Sequence, residues 1–92
     1  MSWTVKLSSV SEKRFRKLDA NLKKRMLMEF RELAGFDHPV EHPQVRSLTG
    51  DLKGYFRLRI GGYRIIFAVL AEEKIIAVVN IVPRRDASSD VY

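Results

Sequence analysis

Residues Tyr55–Arg64 read YFRLRIGGYR. Apolar residues alternate with arginines on either side of a glycine pair, and period two is the mark of a half-buried strand. Gly61-Gly62 suits a two-residue hairpin turn, because glycine accepts positive φ. Such a turn fixes the register. Ile60 then faces Tyr63, Arg59 faces Arg64, Leu58 faces Ile65 and Arg57 faces Ile66. Opposite residues share a sheet face. Phe56, Leu58, Ile60, Tyr63, Ile65 and Phe67 therefore form an apolar face, and Arg57, Arg59 and Arg64 gather on the other.

Like charges directly opposite one another are destabilising, by up to about 1 kcal/mol. No acidic residue lies within the two strands, and Asp51 is the nearest upstream. Single cations on exposed strands commonly serve solubility or block edge pairing. Three clustered behind an apolar face point instead to a site for an anion. Arginine forks match phosphate oxygens in geometry and keep their charge.

Working outward, strands are expected at about 54–60, 63–70 and 74–82. A turn falls at Ala71-Glu72-Glu73, and Pro83 ends the last strand. Upstream, Trp3, Val5 and Leu7 alternate with Thr4 and Lys6, a short strand. Ser9 and Glu12 fit a capping box that opens a helix, and Asp19 offers a second cap. Leu22, Met26, Phe30 and Leu33 recur at helical spacing in a second helix, and Gly35 stops it. Two His-Pro pairs, His38-Pro39 and His42-Pro43, mark 36–44 as a loop without regular structure. Residues 45–52 carry no clear period beyond a turn at Thr49-Gly50-Asp51. The expected order is β-α-α-β-β-β, an α+β domain with a helical hairpin on one face of an antiparallel sheet.

The chain has 92 residues, which suits one domain, 1–92. It has no cysteine, which excludes disulfides, thiolate catalysis and thiolate zinc sites. That composition fits a reducing cytoplasm. The apolar runs are too short to span a bilayer, and the N-terminus does not read as a signal peptide. Lysine plus arginine number 17 against 11 acids, a net charge of +6, which favours polyanionic partners.

The chain resembles the RelE/ParE superfamily of toxins from toxin–antitoxin systems. Leu48-Thr49-Gly50 looks like the family's L-x-G. The Arg57/Arg59 strand followed by Gly62-Tyr63-Arg64-Ile65-Ile66-Phe67 is similar to its G-x-Y-R-x-x-Y/F strand pair. The ending Pro83-Arg84-Arg85, with Val91-Tyr92, looks like its basic pair and terminal V-Y. The resemblance implies a microbial-ribonuclease-like fold. For RelE-type members it implies cleavage of mRNA in the ribosomal A site. There the 2′-hydroxyl attacks the adjacent phosphate, so no metal or other cofactor is needed. ParE-type members instead inhibit DNA gyrase. A binding module without activity is a third possibility. In each case a cognate RelB-like antitoxin is the expected partner.

Carried over by position, Arg57, Arg59, Arg64, Arg85 and Tyr92 form the catalytic set, with Arg84 as the alternative to Arg85. Arginine stands at 57 and 59 where RelE itself has lysine. A guanidinium does not serve as a base, so Tyr92 or the ribosome's RNA would take that role. Lys23, Lys24, Arg25, Lys53 and Arg84 are candidate RNA or ribosome contacts, although Lys23–Arg25 also fits a plain solvated helix face. His38 and His42, with Asp37 and Glu41, raise the idea of acid–base or metal chemistry. Solvated loop residues are the reading preferred here. Trp3, Met26 and Met28 read as core, and Ser8, Ser9 and Ser11 read as caps.

Overall fold

The structure is a computed structural model and describes residues 3–83. Five strands and two α-helices follow in the order β1 (Thr4–Leu7), α1 (Ser9–Arg16), α2 (Ala20–Ala34), β2 (Val45–Ser47), β3 (Phe56–Ile60), β4 (Tyr63–Leu70) and β5 (Ile75–Pro83). Short 3-10 turns occupy Pro39–Glu41 and Gly50–Leu52. The sheet order is β1-β5-β4-β3-β2, antiparallel except for the parallel pair β1–β5. The α+β class and the helix-covered sheet are as expected. The sheet gains one strand, β2, in a segment whose sequence carried no period. Three residues are too few to show one, and pairing with β3 supplies the order.

The helix-facing side of the sheet is the main core. Leu58, Ile60, Ile65, Phe67, Ile76, Val78 and Ile81 meet Met26, Phe30 and Leu33 of α2. Trp3 joins them, and its indole N–H donates to the Asp37 carbonyl at 3.1 Å. Burying each large aliphatic side chain contributes roughly 1.5–3 kcal/mol. Met28, expected in the core, is 61% exposed. It lies two residues past Met26, about 200° around the helix.

Asp19 caps α2, accepting from the Leu22 N–H at 2.8 Å, and Gly35 closes it. The first cap is shifted by one residue from the expected capping box. Ser8 is the N-cap, and its Oγ accepts from the Ser11 N–H at 3.1 Å. Tertiary pairing decides this choice. The Ser8 Oγ also donates to the Val79 carbonyl at 3.1 Å, and the buried Ser11 Oγ donates to the Val78 carbonyl at 3.0 Å. These carbonyls lie where the β4–β5 register slips between Ile66 and Phe67. The loop after α2 is also more ordered than proline suggested. Pro39 sits in the first turn of its 3-10 segment, where a missing N–H does no harm.

Candidate anion-binding face of the sheet

The β3–β4 register is the expected one: Ile60 pairs with Tyr63, Arg59 with Arg64, Leu58 with Ile65 and Arg57 with Ile66. The turn uses the glycine pair unequally. Gly61 has φ 57° and requires a residue without Cβ strain, whereas Gly62 is not left-handed.

Arg57, Arg59 and Arg64 thus share the face away from the helices. A fourth cation joins them. Arg46 of β2 stands directly opposite Arg57, and its Nη1 donates to the carbonyls of Pro43 at 3.1 Å and Val45 at 3.0 Å. Sequence reasoning missed Arg46 because strand β2 carries no period of its own. Val45-Arg46-Ser47-Leu48 runs apolar, polar, polar, apolar, which offers no alternation to read.

The face is not uniformly open. A second apolar cluster lies on it, with Leu48, Ile66 and Val82 buried and Leu52, Tyr55 and Val79 packed around them. This cluster explains the unequal exposure of the arginine pair. Arg59, on β3, is exposed, whereas Arg64, on the central strand β4, pairs with Val82 and is only 7% exposed. Nε and Nη1 of Arg64 are buried and make no hydrogen bond among the described residues. Nor does any of the four arginines form an ion pair among those residues. Arg57 has its pKa lowered from the ordinary guanidinium value, first by burial and then by the charges of Arg59, Arg46 and Arg64. The face is therefore a concentrated positive field with unsatisfied donors. Such an arrangement is suited to an oxyanion.

Of the other residues singled out, Arg25 reaches the β3–β4 turn. Its Nη1 lies 3.6 Å from where a Cβ on Gly61 would stand. Lys24 is exposed on α2, Lys23 is half-buried there, and Lys53 is exposed after the second 3-10 turn. All three lie off the strands that carry the arginines. Arg84, Arg85 and Tyr92 lie outside the described residues.

The histidines separate. His38 is half-buried, with its ring 5.6 Å from that of Trp3. His42 is not a solvated loop residue: it is 5% exposed and packs on Phe36 at 5.4 Å between ring centroids. Its Nε2 faces Glu29 at 3.7 Å, and Glu32 lies close by. The potential ligand set is therefore Glu29, Glu32 and His42 in place of Asp37 and Glu41. The tautomer argues against a metal there. His42 Nδ1 accepts from the Gln44 N–H at 3.0 Å. A neutral ring then carries its proton on Nε2 and presents a donor, not a lone pair, to the carboxylates.

The sequence profile of a family described as the ParE toxin of the type II toxin–antitoxin system, parDE, matches residues 5–88. Among curated proteins none matches. Several solved structures are similar. The chain is 31% identical to a chain of the archaeal RelE–RelB complex from Pyrococcus horikoshii, with a TM-score of 0.71, covering 92% of this chain and 98% of that one. The RelBE2 toxin–antitoxin complex from Mycobacterium tuberculosis matches at 20% identity and a TM-score of 0.73, over 91% of this chain and 100% of that one. A mutant E. coli toxin RelE in the free state matches at 20% identity and a TM-score of 0.69, over 100% of this chain and 92% of that one.

Proposed function

Because the chain belongs to the ParE toxin family of type II toxin–antitoxin systems, we propose that it is a toxin whose arginine face binds the scissile phosphate of mRNA on the ribosome. The observation that carries this reading is Arg64, a guanidinium held nine-tenths buried with two donors unpartnered among the described residues. Leaving such donors unmet costs about 1–3 kcal/mol. An incoming phosphate oxygen would satisfy them.

In this reading the substrate's own 2′-hydroxyl attacks the adjacent phosphorus, and the 5′-oxygen of the next nucleotide leaves. A 2′,3′-cyclic phosphate remains. Arg57, Arg59 and Arg64, with Arg85, stabilise the charge that grows on the phosphoryl oxygens. Tyr92 orients or deprotonates the 2′-hydroxyl, helped by the cationic field, which favours a phenolate. Lys23, Lys24, Arg25, Lys53 and Arg84 add phosphate contacts that carry affinity without base specificity. An antitoxin of the RelB type, as in the archaeal complex, would neutralise the face with acidic side chains.

The ParE description of the matched family favours a second reading, inhibition of DNA gyrase without RNA cleavage. Primer extension on a defined mRNA, with and without translating ribosomes, separates the two. Codon-phased cuts that need ribosomes are expected. Intact mRNA in both conditions, together with loss of gyrase supercoiling activity, would overturn the ribonuclease reading. Arg64→Ala should abolish growth arrest on induction while leaving the far-UV circular dichroism unchanged. Persistent arrest would rule out the phosphate site.

A further inference from the structure

The arginine face is larger than one phosphate. Adjacent strands lie about 4.8 Å apart and residues i and i+2 about 6.6 Å apart along a strand. Arg46 pairs with Arg57, while Arg59, two residues further along β3, pairs with Arg64. From Arg46 on β2 to Arg64 on β4 the Cα separation is therefore about 12 Å. The Arg46 guanidinium is held at the Pro43 and Val45 carbonyls at one end of that span, and Arg64 is buried at the other.

We propose that Arg46 forms a second anion subsite, which holds a phosphate adjacent to the scissile one on single-stranded RNA. The inference rests on the ribonuclease reading and extends the same face. Three features support it. Arg46 continues the cation row directly across from Arg57. One of its terminal nitrogens is tied down by two backbone carbonyls, which holds the exposed guanidinium at the rim, and Nη2 and Nε have no partner among the described residues. It forms no ion pair with the described acidic residues. The half-buried Leu52 and Tyr55 lie on this face with the two subsites and give a sugar or base edge a surface to rest on. A strand reading this face would thus be gripped at consecutive phosphates, not at one.

The test uses the full chain and 2′-O-methyl oligoribonucleotides, which bind but lack the attacking hydroxyl. A dinucleotide carries one internucleotide phosphate and a trinucleotide two. Wild type should bind the trinucleotide several-fold more tightly in fluorescence anisotropy. Arg46→Gln should remove that gain and weaken dinucleotide binding less than trinucleotide binding. It should also lower the slope of log K against log salt for the trinucleotide by about 0.7. Arg46→Lys should keep most of the gain, and Arg16→Ala, a charge loss on α1, should keep all of it. If Arg46→Gln retains the length effect while Arg64→Ala weakens both oligonucleotides, the second subsite is wrong and the scissile-phosphate reading stands. If wild type binds neither oligonucleotide, the second subsite fails, and the scissile-phosphate reading is decided by the ribosome assay.

Discussion

At Arg64 a permanent cation is buried on the central strand with two donors unmet among the described residues, opposite another arginine and beside Val82. Buried charges without partners are costly, and an apolar side chain of similar volume often restores stability. Arg64→Met is accordingly expected to raise stability by about 1 kcal/mol, seen as a rise of about 4–8 °C in Tm. The same change should abolish toxicity. A lower Tm would show that the guanidinium has satisfied contacts and is structural. Arg59 and Arg64 were legible as a facing pair from the turn alone. Their unequal burial was not, because it depends on Val82 and Ile66, which arrive from elsewhere on the sheet.

Among the elements, the β3–β4 hairpin and the α1 cap depend most on single residues. Of the two turn glycines, Gly61 is the one in the left-handed region, and Gly62 has open space around it. Gly61→Ala should therefore cost about 1–2 kcal/mol, whereas Gly62→Ala should be close to neutral in urea unfolding. Equal costs would mean that the turn is of another type. Ser8 caps α1 and also anchors the Val79 carbonyl beside the β4–β5 irregularity. Ser8→Ala should lose about 1–2 kcal/mol, and Ser9→Ala should change little. A larger loss at Ser9 would restore the capping box that the sequence pattern favoured. The pattern could not choose between neighbouring serines, since only the strand they cover distinguishes them.

For the molecule as a whole, the mutual repulsion of Arg46, Arg57, Arg59 and Arg64 sets the solution behaviour. The folded-state pKa of Arg57 lies below its unfolded value. For a base this sign means that the charged form opposes folding at every pH below the folded value, and the cost is relieved only as pH rises through it. Guanidinium groups do not reach that point near neutrality. Stability should therefore be insensitive to Arg57 across neutral pH and should respond to anions instead. Millimolar phosphate or sulfate is expected to raise Tm by more than chloride at equal ionic strength, and Arg64→Ala should reduce the difference. Identical shifts for all three salts would indicate general screening without a site. By itself the sequence determined the helix periods, the hairpin register and the segregation of arginines from the apolar face, because each follows from neighbours a few residues apart. Only the tertiary structure decided that β2 joins the sheet and adds Arg46, that His42 is buried beside Glu29, and that Arg64 sinks while Arg59 stays wet. Those outcomes depend on which distant segments cover a residue, and local periodicity carries no record of that.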